Sequence, residues 1–268
     1  MNDPHVEQLR YRLTVASSQF RLENPPPLFQ EFDGFRIRLE SEILTVEMKE
    51  HHASIQSANE KVEEFIKDWK IYTALDFDCD MLKFEYESAD VIDRKPSPKL
   101  PGHITGHMDL TIPMPIIQCT STVHPLNLSR YPAPPTRFRS TPDVETMWFR
   151  YQQHLQDKET YQSLGYFCLS LMQWTTGVGK GARDRASRMY KIDRDVLDKL
   201  GKLTSERGTQ RDARKLDSGS TLIPLSDVER RWIREAVKML VRRKGEHDFD
   251  PLEAPSLKQI TMADLPTL

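Results

Sequence analysis

The chain has 268 residues, 38% hydrophobic and 29% charged, with a formal charge of −2; that length suits two domains, each large enough to bury its own core, and the composition is globular rather than disordered. The longest apolar runs, such as Tyr166–Met172, are far too short to span a bilayer. The opening residues Met-Asn-Asp-Pro-His-Val-Glu lack the basic start and apolar core of a secretion signal, so a cytoplasmic protein with no membrane association is expected.

Between Val6 and Val15, Leu9, Tyr11 and Leu13 fall on one face at period two, which predicts a first strand. Pro25–Pro27 then block both helix and central strand, so the chain runs extended to Phe29. Gly34–Leu39 and Ile43–Met48 alternate polar and apolar residues around Glu40–Glu42, the pattern of a hairpin with one wet face. Ser57 with Glu60 forms a capping-box pattern, and Ser54 offers a cap one turn earlier. Val62, Phe65, Ile66 and Trp69 follow at helical spacing, giving one apolar stripe to pack on the sheet. Leu82, Phe84 and Tyr86 predict the buried face of another strand, and 104–112 and 116–123 add two more.

Seven prolines between Pro113 and Pro142 exclude regular helix and place the domain boundary. Thr141 as N-cap, Pro142 at the first helical position and Asp143 near the positive dipole end open a helix lined by Val144, Met147, Trp148, Tyr151 and Leu155. A second helix, from Lys158 to about Thr175, is apolar nearly all round through Tyr161, Leu164, Phe167, Leu171 and Trp174, as expected of the central member of a bundle. After Gly177–Gly181 come a short helix over 182–190 and another capped by Asp193, carrying Val196, Leu197, Leu200 and Leu203. Ser226 with Glu229 is a second capping box; it starts a helix that buries Ile233, Val237 and Leu240, with Trp232 at one edge. The expected organisation is α+β: a mixed or antiparallel sheet with one long helix at 1–125, a proline-rich linker at 126–141, an all-α helical bundle at 142–247, and an irregular tail at 248–268 that wraps one of the domains.

The formal charge conceals an asymmetry. Residues 1–100 carry 20 Asp/Glu against 13 Lys/Arg, a net of −7, whereas 179–247 carry 19 Lys/Arg against 11 Asp/Glu, a net of +8. Such polarity directs the helical part toward something anionic, or makes the two halves attract each other. Arg207, Arg211, Arg214 and Lys215 fall at i, i+4, i+7 and i+8 and would form a cationic ridge suited to phosphates. Glu206, Asp212 and Asp217 lie close enough to neutralise part of it, and Arg183, Arg185 and Arg188 invite the same reading as internal ion pairs.

Other patterns carry less. Asp76, Asp78 and Asp80 with Glu87 mimic a calcium loop, but Met81 stands where the sharp turn needs Gly, so an acidic hairpin turn is expected. His103 and His107 on one strand face lie ~13 Å apart by the usual rise, too far for one zinc; with His51 and His52 they read as ordinary histidines, and no metal or cofactor is expected. Gly177–Gly181 contains Gly-Lys without the Walker spacing or a following Ser/Thr, and it follows a helix, so it reads as an interhelical loop. The three cysteines, Cys79, Cys119 and Cys168, form no paired motif, and Cys168 sits in an apolar run as an inert thiol.

Arg242 and His247 stand with four residues between them at the end of the last helix. On this spacing and the helix order, the C-terminal part resembles the HEPN superfamily. That resemblance implies a helical bundle that acts in prokaryotic toxin and antiviral systems, usually as a dimer that pools two such pairs to cleave RNA without a metal. His exchanges a proton near neutral pH and Arg offers a fixed fork of donors to phosphate, so the residue types suit that chemistry. Two features depart from the pattern: Arg243 replaces the usual polar residue after the motif Arg, and Gly245 is expected to end the helix before His247. The leading expectation is a prokaryotic RNA- or nucleoprotein-binding protein, a defence-system component or ribonuclease, with Arg207, Arg211, Arg214 and Lys215 on phosphates and Arg242 with His247 as the catalytic pair. The alternative is a non-catalytic structural or adaptor subunit that binds a protein partner and forms a homodimer through its helices.

Overall fold

The structure is a computed structural model that describes residues 3–16, 19–95, 126–207 and 223–268. The strands expected over 104–112 and 116–123, together with His103, His107, Cys119, Arg211, Arg214 and Lys215, lie outside the described residues. The chain forms two compact units, Met1–Thr136 and Arg137–Leu268.

In the first unit, β1 (Pro4–Val15), β3 (Leu28–Glu31), β4 (Phe35–Glu40), β5 (Ile43–Met48) and β6 (Leu82–Asp93) make a five-stranded antiparallel sheet in the order β3-β4-β5-β1-β6. The period-two alternation expresses itself directly: Leu9, Tyr11, Leu13, Ile37, Leu39, Leu44 and Val46 are buried, and arginines face outward to pair with acids on neighbouring strands, such as Arg10 with Asp90 at 2.9 Å. Ser41 and Glu42 close the β4–β5 hairpin with both residues at positive φ, 50° and 64°, the backbone that matches strand twist. Neither is glycine, and the turn is held from outside: the Glu42 N–H donates to Tyr131 Oη at 3.2 Å and the Glu42 carbonyl accepts from the Leu13 N–H at 2.7 Å. Tyr86, expected on the buried face, lies opposite Tyr11 but on the edge strand, and is 43% exposed.

Helix α1 (Ile55–Phe77) is capped by Ser54, whose hydroxyl accepts from the Ser57 N–H at 3.2 Å, so the earlier of the two candidate caps is used. Its stripe of Val62, Phe65, Ile66 and Trp69 is buried as expected and packs with Phe32, Phe35 and Phe84 into an aromatic cluster. The short strands β2 (Phe20–Leu22) and β7 (Leu126–Leu128) pair in parallel. Beyond them Tyr131 is buried and the Pro132 carbonyl accepts from Trp69 Nε1 at 3.1 Å, so the first part of the stretch 126–141 is packed against the core of this unit.

The second unit contains α2 (Pro142–Leu155), α3 (Tyr161–Trp174), α4 (Ala182–Tyr190), α5 (Arg194–Glu206) and α6 (Asp227–Phe249). Thr160, Asp193 and Ser226 cap three of them through their side chains, and Ser226 with Glu229 forms the full capping box. Thr141 instead donates its hydroxyl to Asp248 Oδ2 at 2.6 Å, a tertiary contact in place of a local cap. Trp232, expected at one edge of the α6 stripe, is fully buried.

Two expectations are corrected here. Gly245 does not end α6, which continues through His247 to Phe249; the glycine is there because a Cβ at this position would lie 2.5 Å from Phe138 Cδ2 and 2.9 Å from its Cζ. Nor is α3 covered all round. Leu164, Gly165, Cys168, Leu169 and Met172 are buried, whereas Tyr166 is 44% and Trp174 71% exposed. The tail does wrap the helical unit: Ile260 forms a parallel bridge with Ile192, and Arg243 donates to the Lys258 carbonyl at 2.7 Å.

Candidate functional site

The end of α6 holds the Arg/His pair. With the helix unbroken, five residues of rotation leave the side chains of Arg242 and His247 about 140° apart around the axis. Arg242 lines a cleft of about 170 Å³ with Met239, Glu246, Lys258 and Asp264. His247 is buried on another side, its ring edge-on to Tyr190 at 4.8 Å between centroids and its Nδ1 3.2 Å from Asp248 Oδ1. A single chain therefore does not bring the two together, although a carboxylate does orient the imidazole.

The residues between them are structural. Arg243 is 5% exposed and donates to the carbonyls of Tyr190, Lys191 and Lys258 at 2.7 to 2.8 Å, tying the end of α4 and the tail to α6. Lys244, equally buried, reaches Asp248 at 2.5 Å and Asp143 at 3.2 Å. Burial works against its charge, but the hydrogen bond and charge of Asp248 outweigh it and raise the Lys244 pKa above its ordinary value.

Several of the described basic residues are committed inside the unit. Arg207 lies 3.3 Å from Glu229. Burial raises that carboxyl, yet the Ser226 hydrogen bonds and the Arg207 charge prevail and hold it below the usual range. Arg183 pairs with Asp198 at 2.7 Å, and Arg194 joins both Asp198 and Asp184. Arg188 donates to the Asp184 carbonyl at 3.3 Å. Arg185 donates to the carbonyls of Thr176, Gly177, Val178 and Lys180, so the Gly177–Gly181 loop turns its oxygens onto a cation. That polarity is the reverse of a phosphate cradle, which needs converging N–H groups.

Asp76–Asp80 does not form a hairpin: α1 ends at Phe77, Asp78 takes the left-handed C-cap at φ 56°, and β6 follows. Among the described residues no group of three or more His, Cys, Asp or Glu is placed to hold a metal. Buried Cys168 has its thiol pushed up to about 12 by desolvation, which suits an inert side chain. No helix among the described residues is long and apolar enough to cross a membrane.

Two further features emerge from the tertiary structure. The first is the open side of α3, where Tyr166, Phe167, Leu171 and Trp174 lie within about 140° of the helix circumference. Phe167, Leu171 and Trp174 line a broad groove of about 690 Å³ together with Asp143, and the Arg150 guanidinium stacks 4.1 Å from the Phe167 ring. The second is a cleft of about 310 Å³ at the α2–α3 turn, lined among others by His154, Lys158, Tyr161 and Arg230. The helix was expected from Lys158 but starts at Tyr161, capped by Thr160, a residue type that could have marked this turn; Arg230 arrives from α6 and nothing local announces it. Compared with known proteins, the chain matches no family model, no curated protein and no solved structure.

Proposed function

We propose that the chain is a non-catalytic adaptor whose helical unit self-associates through the open side of α3, leaving the acidic sheet unit for a protein partner. One observation carries this reading: α3, apolar nearly all round, buries one side against its neighbouring helices and leaves aromatic side chains open on the other, with Trp174 71% exposed and Tyr166 44% exposed. Clustered exposed aromatics of this kind belong to interfaces and supply their strongest contacts. A two-fold pairing would use the same face on both copies and seat each Trp174 in the other's groove. The test is the mass of the full-length protein in solution by light scattering. A dimer that becomes monomeric in Tyr166→Glu/Trp174→Glu, with an unchanged circular dichroism spectrum, supports the reading. A wild-type protein that stays monomeric at its highest soluble concentration ends it.

A second reading, RNA or nucleoprotein binding by a HEPN-like bundle acting in prokaryotic defence, is favoured by the basic excess of residues 179–247 and by the Asp248 carboxylate beside His247 Nδ1. In it Arg207, Arg211, Arg214 and Lys215 hold phosphates, and a dimer supplies Arg242 of one copy to His247 of the other as a metal-independent ribonuclease. RNA binding and cleavage at low and moderate salt, with Arg242→Ala, His247→Ala and charge reversal at Arg207, Arg211 and Arg214, decides it. Unchanged affinity in the charge-reversed protein sinks the phosphate assignment.

A further inference from the structure

We infer that the cleft at the α2–α3 turn is a binding site for a phosphate monoester, independent of the aromatic face and of the Arg242/His247 pair. His154 is only 7% exposed, and its Nδ1 lies 2.8 Å from the Glu159 carbonyl. A carbonyl can only accept, so Nδ1 carries the hydrogen, which leaves Nε2 as the ring's other hydrogen-bonding atom. Nε2 has no hydrogen-bond partner among the described residues, and His154 lines the cleft. The ring cannot swing away: Tyr161 packs edge-on at 4.0 Å between centroids, and the Tyr161 hydroxyl is itself held by Arg234 at 3.1 Å.

The same cleft receives the start of α3. Thr160 Oγ1 takes the Ser163 N–H at 3.2 Å and the Thr160 carbonyl takes that of Leu164 at 3.0 Å. The N–H groups of Tyr161 and Gln162, both lining the cleft, have no acceptor within the helix and stand at its positive end. Lys158 and Arg230 complete the wall. Among the described residues Lys158 is otherwise engaged only by the neutral Gln156 amide oxygen at 2.7 Å, and Arg230 by Asp227 at 3.4 Å, whose own side chain is 97% exposed. Two acids also line the cleft. Glu159 is turned to Arg150, with Arg150 Nε 3.0 Å from its Oε2, and is thereby neutralised; Asp157 stands exposed.

Helix N–H donors and two flexible cations are what a tetrahedral oxyanion needs, and they do not specify a sequence or a base. The Nε2 of the largely buried His154 adds a discriminating feature. It accepts a hydroxyl hydrogen from the ligand, or, once protonated, donates to a phosphate oxygen. A phosphate ester with a hydroxyl close to the phosphate satisfies both halves of the cleft at once. A free nucleotide and the phosphorylated end of an RNA chain share that chemistry.

The test uses the full-length protein. Inorganic phosphate is titrated while the His154 ring signals are followed by NMR, assigned with His154→Gln. Calorimetry then compares a nucleoside 5′-monophosphate with a short 5′-phosphorylated oligoribonucleotide and its 5′-hydroxyl counterpart. Saturable shifts of the His154 signals are expected, with affinity falling about tenfold or more in Lys158→Glu/Arg230→Glu, two surface changes that leave the fold intact. Binding of the nucleotide alone assigns a small-molecule site, and binding of the phosphorylated oligonucleotide over its hydroxyl counterpart assigns a chain-end site; either outcome supports the inference. Ring signals that phosphate does not move, or a charge-reversed protein that binds as tightly as wild type, overturn it. Since neither substitution touches Tyr166 or Trp174, the oligomeric state reports separately on the adaptor reading.

Discussion

Gly245→Ala offers the sharpest check of how the helical unit is packed. In an ordinary helix interior the change stabilises by about 1 kcal/mol, because alanine loses less backbone freedom and shields the helix better. At this position the new Cβ would fall 2.5 Å from Phe138 Cδ2 and 2.9 Å from Cζ, closer than carbon atoms approach, and Phe138 is only 2% exposed and cannot slide away into solvent. Overpacking of a core costs about 1–3 kcal/mol, and here the clash involves a ring rather than a flexible side-chain end, so the upper part of that range applies. After the gain in helix propensity is subtracted, a net loss of about 1–2 kcal/mol is expected, which lowers the melting temperature of this unit by roughly 3–6 °C. Differential scanning calorimetry measures it, and a double-mutant cycle isolates the cause. Phe138→Ala alone destabilises by about 3–5 kcal/mol, but in that background Gly245→Ala should turn neutral or stabilising. An alanine that stabilises the wild-type background would refute the packing argument and restore a purely local explanation of the glycine.

Two other outcomes follow from buried charge. Lys244→Ala leaves the Asp248 and Asp143 carboxylates without the ammonium that lies between them, and should cost about 3–5 kcal/mol in urea unfolding, far more than Arg230→Ala on the exposed surface; equal losses would show that Lys244 is no more than a surface cation. In the sheet unit, burial, the Arg94 charge and neighbouring His51 hold the His5 pKa below 6.5, while its Nδ1 accepts from the His52 N–H at 3.4 Å. The unfolded chain therefore binds the proton first, so stability is complete above about pH 6.5 and declines as the pH falls below it, until the folded ring is protonated as well. His5→Asn keeps an acceptor near the same place and removes the titration; an unaltered acid slope in that variant would assign the effect elsewhere.

Much of the local architecture was legible without coordinates. The alternation of Leu9, Tyr11 and Leu13, the polar-apolar runs around Ser41–Glu42, and the Val62–Trp69 stripe each encode their element within a few residues. The Asp193 cap and the Ser226/Glu229 box did the same for helix starts. The charge excess of residues 179–247 was also legible, but its disposition was not. Arg207 is matched by Glu229 from another helix, and Arg185 by carbonyls of a loop that the sequence describes only as glycine-rich.

What the sequence by itself determined was therefore period, capping and breakpoints, because hydrogen-bond geometry and side-chain direction act over one or two turns. Only the tertiary structure decided that Gly245 admits Phe138 instead of ending a helix, that α3 keeps one apolar side open, and that His154 meets Arg230 across a cleft. These outcomes depend on which distant surfaces cover one another, and burial and charge matching are properties of that covering rather than of any stretch of chain.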